Sequence, residues 1–156
     1  MSLRRVVLAA ILAVICPAGA FAHHAFEAEF DTTAPVTLKG TVSAVDWVNP
    51  HSTITLNVAE PGKAPQAWKI LSGSPQALNH RGVCRLTLPV GSDVTVTAYL
   101  ARDKNCLRSE GGTHPVCLVA GRYLTFPATQ SLIDIYSSGS FSVYAPEQTQ
   151  CRRQGD

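Results

Sequence analysis

Residues 36–58, which read VTLKGTVSAVDWVNPHSTITLNV, contain the pattern that decides the fold. The first part, residues 36–48, is rich in β-branched residues and includes Gly40, where we predict a bend or bulge. The NPH triplet at residues 49–51 is typical of a turn. The apolar residues of the second part alternate with polar ones and share one face, namely Ile54, Leu56 and Val58. The stretch therefore predicts a β-hairpin with one buried face.

Further strands follow at QAWKIL (66–71), SDVTVTAYLA (92–101) and LVAGRYLTF (118–126). Between the third and fourth strands, SPQALNHRG predicts a short helix, because Ser74 suits the N-cap, Pro75 the first helical position and Gly82 a left-handed end. The segments SLIDIY and SFSVY, around Ser138 and Gly139, predict a C-terminal hairpin.

Three strands, a short helix and two strands are the order of an oligonucleotide/oligosaccharide-binding (OB) barrel. We therefore predict an all-β fold with one short helix: a small five-stranded OB-like antiparallel barrel plus a C-terminal hairpin. A small β-sandwich is the alternative, because strand order cannot be read from a single sequence.

The first 22 residues have the three parts of a secretory signal. Arg4 and Arg5 are followed by an apolar run, residues 6–16, and by an Ala-x-Ala cleavage site that ends at Ala22. That run is far shorter than the roughly 20 residues of a transmembrane helix. We expect a signal peptide at 1–22 and one exported domain at 23–156, periplasmic or secreted and without a membrane span. Residues 26–31, FEAEFD, alternate apolar and acidic residues, which predicts an extended segment anchored along one face.

Charge and cysteines agree with this compartment. The signal holds two of the 13 basic residues and none of the 11 acidic ones, so residues 23–156 have no net charge, which argues against nucleic acid as a partner. Four cysteines remain after cleavage, and an even number in an exported chain predicts disulfides. The Gly- and Pro-containing loop between Cys106 and Cys117 favours their pairing, which leaves Cys84 to pair with Cys151.

Three segments resemble a family of small exported bacterial proteins whose common domain has no assigned function. They are the start HHAFEAEFD, the segment PVTLKGTVSAVDWVNPH and the later GSPQALNHRG. The resemblance covers roughly residues 23–101, and the double histidine with the later W-x-N-P-H carries it. It implies an exported β-barrel-like domain that begins with histidines, and no activity.

The most suggestive chemistry is at the new N-terminus. Cleavage gives His23 a free α-amino group beside its own imidazole, and these two nitrogens can chelate one metal ion. A third imidazole, from His51 in the hairpin turn, would complete a histidine brace. In a second arrangement the amine, the intervening amide nitrogen and the His24 imidazole bind the ion without His51. Nitrogen ligands of this kind suit Cu(II).

We thus predict a periplasmic metal-binding protein for copper handling, with His23, His24 and His51 as ligands. The alternative is a non-enzymatic exported module that binds a partner protein or small ligand, with the histidines solvated or packed. The sequence contains no G-x-S-x-G, H-E-x-x-H or phosphate-binding glycine loop, so we predict no enzyme.

Overall fold

The computed structural model describes residues 26–59, 61–62, 64–102, 107–108, 115–136 and 151. Its strands are β1 (Phe30–Asp46), β2 (Thr53–Val58), β3 (Gln66–Leu71), β4 (Asp93–Ala101), β5 (Leu107–Arg108), β6 (Pro115–Thr125) and β7 (Leu132–Asp134). One short helix, Pro75–His80, lies between β3 and β4. All five strands predicted for the barrel are present.

The predicted hairpin is confirmed by antiparallel pairing of β1 with β2. In the pairing of β1 with β2, the irregularity lies between Val42 and Ala44 rather than at Gly40. Gly40 has a different role, because a Cβ atom there would lie only 2.5 Å from the backbone carbonyl oxygen of Asn57 in β2. Glycine at this position allows the two strands to approach each other.

Five strands form a closed ring in the order β3-β2-β1-β4-β6, and β6 returns to pair with β3. This confirms the OB-like barrel in preference to the β-sandwich. One feature differs from the predicted antiparallel barrel, because β3 and β6 run parallel, with Trp68 opposite Cys117 and Leu71 opposite Ala120. A ring with an odd number of strands cannot alternate direction throughout, so one neighbouring pair has to be parallel.

The helix has the predicted ends. Ser74 accepts a hydrogen bond from the backbone N–H of Ala77 at 3.2 Å, and Pro75 occupies the first turn. Gly82 follows with φ of 87°, a left-handed conformation that glycine adopts without strain. Leu78 is fully buried, so the helix contributes to the barrel core.

The core fills the barrel with aliphatic side chains that alternate along the strands, as the period of two requires. Its fully buried large members include Ile54, Leu56, Ile70, Leu78, Leu88, Leu124 and Ile135.

The cysteine prediction is confirmed for one pair, since Cys84 and Cys151 form a disulfide. Cys117 is also disulfide-bonded. Its predicted partner, Cys106, lies outside the described residues, so the pairing of Cys106 with Cys117 stays a prediction.

The two ends of the domain differ in part from expectation. Residues 26–29 form a helical turn instead of the predicted extended segment, and β1 begins at Phe30. At the other end, β7 pairs antiparallel with β6. The second arm of the predicted C-terminal hairpin, residues 140–144, lies outside the described residues.

Crowding at Gly40 gives a first prediction. We expect Gly40→Ala to lower the free energy of unfolding by about 3 kcal/mol, because the new methyl group meets backbone that cannot rotate away. Gly62→Ala is the control, since its Cβ would have no neighbour within 4 Å although its φ is 76°, and backbone strain alone costs about 1 kcal/mol. Urea unfolding measures both, and equal losses would contradict the crowding argument.

Candidate functional site

His51 is exposed at the end of the turn between β1 and β2, directly after the cis Asn49–Pro50 peptide bond. Its Nδ1 lies 3.1 Å from the backbone carbonyl oxygen of Ser72. A carbonyl oxygen only accepts, so Nδ1 carries the proton in this contact. The lone pair of the neutral imidazole is then on Nε2. Metal-binding histidines usually have this arrangement, with one ring nitrogen donating to a fixed acceptor and the other left to bind the ion.

The carbonyl that holds His51 is itself fixed by buried backbone. Both the hydroxyl and the backbone N–H of Ser72 donate to the carbonyl oxygen of Ser52, at 2.9 Å each. The N–H of Ser52 donates in turn to Gly73 O at 3.0 Å. Ser52 and Ser72 have no exposed surface, and no described residue bonds to the Ser52 hydroxyl. These hydrogen bonds between residues 52 and 72–73 therefore extend the β2–β3 ladder to the residues next to His51.

Tyr136 lies beside the His51 ring. The two rings are stacked, with centroids 6.0 Å apart and planes within 10° of each other. Burial raises the pKa of the Tyr136 phenol above its ordinary value, and the Glu29 carboxylate raises it further. The phenol is therefore protonated at neutral pH.

The backbone of Tyr136 is hydrogen-bonded to a buried carboxylate. Its backbone N–H donates to Asp134 Oδ1 at 3.1 Å. Asp134 forms ion pairs with Arg122, at 2.8 Å, and with Arg81, at 3.5 Å, and Arg81 also donates to the Asp134 backbone carbonyl at 2.8 Å. The Asp134 side chain is only 6% exposed. This arginine–aspartate cluster fixes the chain where it leaves β7.

Phe26 also contacts the Tyr136 ring, with centroids 4.7 Å apart. It also contacts Phe30 at 5.2 Å and Tyr99 at 6.4 Å, so it sits among three aromatic rings. The contact with Phe30 is compatible with the helical turn, in which residues four apart are neighbours.

Arg102, which directly follows β4, forms hydrogen bonds with the helical turn at residues 26–29. Its Nε donates to Glu27 O at 2.6 Å, and its backbone N–H donates to Glu29 O at 2.8 Å. The residues that follow the predicted N-terminal histidines are thus anchored, although in a helical turn. Phe26 lies one aromatic ring away from His51.

Of the three predicted ligands, the structure locates His51, while His23 and His24 lie outside the described residues. Within the described part of the chain, no group of three or more His, Cys, Asp or Glu side chains is arranged to hold a metal ion. The sequence reasoning missed Tyr136 and Asp134. Neither residue belongs to a metal-ligand pattern. Long-range contacts bring them to the hairpin turn, namely the pairing of β7 with β6 and the hydrogen bond from Gly73 N–H to Ile135 O.

Fold and site together define a small OB-like barrel protein with a backbone-supported surface histidine at one end. The chain belongs to a family of unknown function, DUF6152, whose profile matches residues 11–109. Neither the curated proteins nor the solved structures include one that matches it. The matched range ends before β6, so the closing strand and Tyr136 lie beyond it.

No helix among the described residues has the length and hydropathy needed to cross a membrane.

Proposed function

We propose that this protein is an exported, non-enzymatic copper-handling protein, periplasmic or secreted, that holds Cu(II) at its processed N-terminus. In this proposal residues 1–22 are removed as a signal peptide. His23 supplies its amine and imidazole, and His51 or His24 supplies the further nitrogen.

Two ring contacts support the proposal, that of Phe26 with Tyr136 and that of Tyr136 with His51. His24 precedes Phe26 by two residues, a span of about 7 Å in extended chain. From an anchored Phe26, a chain of that length would allow the N-terminal histidines to reach the turn that contains His51. Without such an anchor, two ligand groups far apart in sequence would meet only at a large cost in chain entropy.

The chemistry of His51 also supports the proposal. Its Nδ1 is engaged by Ser72, which leaves Nε2 as the nitrogen for the ion. An amine and neutral imidazoles favour Cu(II) among the divalent first-row metals. Because the amine has to lose its proton, at a pKa of roughly 7.7–8.0, binding should strengthen as the pH rises towards 8.

The decisive experiment compares two forms of the protein that both begin at His23, one with a free α-amino group and one in which that group is acetylated. Acetylation removes the amine as a ligand and adds no residue, so we expect the acetylated form to bind Cu(II) on the order of 100-fold more weakly, since even loss of an outer-shell partner costs 10–100-fold. Competition titration against a chelator of known affinity measures this. Equal affinity would remove the amine from the site and contradict the proposal.

Single substitutions separate the two ligand arrangements. In the brace, His51→Ala weakens Cu(II) binding, whereas in the arrangement through His24 it leaves the affinity unchanged and His24→Ala weakens it. His80→Ala is the matched control, because His80 is exposed at the end of the short helix. If the protein beginning at His23 binds no Cu(II), the alternative of a binding module without metal takes its place.

A further inference from the structure

We propose that Tyr136 is a positioning residue of the metal site, which sets the orientation of the His51 imidazole by stacking on it. This inference rests on the proposed function, and it assigns a role to a residue that lies beyond the range matched by the family. Tyr136 touches neither the ion nor the amine in this proposal. It acts through His51.

One hydrogen bond does not fix an imidazole. The contact between His51 Nδ1 and Ser72 O fixes one ring nitrogen and leaves the tilt of the ring plane to other contacts. The neighbouring Tyr136 ring, whose plane is within 10° of parallel, favours one tilt. The direction of Nε2 is then determined by two contacts instead of one. A ligand that is already oriented loses less conformational entropy when the ion binds.

Tyr136 is itself fixed well enough to impose an orientation. Its backbone N–H donates to Asp134, which forms ion pairs with Arg81 and Arg122. Its ring contacts Phe26 as well as His51. Tyr136 is thus connected both to the arginine–aspartate cluster and to the anchored N-terminal turn.

The ring of Tyr136, and not its oxygen, performs this role. The described contact with His51 is between the two rings. Phenylalanine would keep the stacked face and lose only the hydroxyl, whereas leucine would remove the face altogether. The two substitutions therefore separate stacking from hydroxyl chemistry.

The test is a double-mutant cycle on the protein that begins at His23, with Cu(II) affinity and the Cu(II) electron paramagnetic resonance spectrum as readouts. We expect Tyr136→Leu to weaken binding about tenfold, as loss of an outer-shell partner does, and to alter the spectrum. Tyr136→Phe should retain the wild-type spectrum and stay within about twofold of its affinity. In the His51→Ala background, Tyr136→Leu should cost less than twofold, because the residue through which it acts is absent.

Two results would overturn the inference. One is a tenfold loss from Tyr136→Leu that persists in the His51→Ala background, since Tyr136 would then act through Phe26 or through the fold. The other is a wild-type affinity for Tyr136→Leu in the intact protein. Both differ from failure of the proposed function, in which acetylation of the His23 amine leaves Cu(II) affinity unchanged whatever residue stands at 136.

Discussion

Replacing Cys84 and Cys151 together by alanine should lower the free energy of unfolding by about 4 kcal/mol. The bond joins residues 67 positions apart. A covalent loop of that length removes much of the entropy of the unfolded chain, and the loop-closure relation gives this magnitude at 25 °C. The loss is a large part of the 5–15 kcal/mol that typically stabilises a domain.

Urea unfolding of the double variant measures this effect. Because the loop is opened only in the variant, its unfolded state should be less compact and its m-value larger. The double substitution is preferable to a reducing agent, since Cys117 is also disulfide-bonded and reduction would break both bridges. A loss below about 1 kcal/mol, with an unchanged m-value, would show that the bridge does not constrain the unfolded chain.

Asp134→Ala should destabilise the protein by about 3–5 kcal/mol, the usual loss when one partner of a buried ion pair is removed. The carboxylate is 6% exposed, and the side chains of Arg81 and Arg122 are only 13% and 29% exposed. Removing the anion leaves two partly buried cations beside each other. It also removes the acceptor of the Tyr136 backbone N–H.

Asp46→Asn is the matched control for this prediction. Asp46 is exposed at the end of β1, and a surface substitution there should stay within about 0.5 kcal/mol of the wild type. Thermal and urea unfolding at neutral pH compare the two variants. Similar small losses for Asp134→Ala and Asp46→Asn would mean that the arginines are well solvated and that the cluster contributes little.

Much of the fold was predictable because its signals are local. Local patterns of β-branched and alternating apolar residues predicted the barrel strands, and Ser74, Pro75 and Gly82 predicted the helix ends. The parallel pairing of β3 with β6 was missed because it joins segments about fifty residues apart. The number of strands alone would have required one parallel pair.

The N-terminal turn illustrates a true ambiguity of pattern. Phe26 and Phe30 are four residues apart, a spacing that puts two side chains on one face of a strand and equally on one face of a helix. Alternation over six residues cannot separate the two, and the contacts of Phe26 with Tyr99 and Tyr136 favour the helical turn.

For the candidate site, the sequence could identify only His51 and the residues before Phe26. A histidine after Asn-Pro is conspicuous because a turn presents it to solvent. Tyr136 has no such signal, because its stacking on His51 depends on β7 pairing with β6 at the far end of the chain. Contacts of this range are set by tertiary packing and leave no periodic pattern in the sequence.

The parallel closure of the barrel also bears on how the chain is made. A polypeptide emerges N-terminus first, so the three-stranded β1–β3 unit exists before its neighbour across the ring. Until Thr125 has emerged, β3 presents an open edge of unpaired N–H and C=O groups that another chain could join. The ring therefore closes only after β6 has emerged, and protection of the β3 edge by a chaperone would raise the yield of the native barrel.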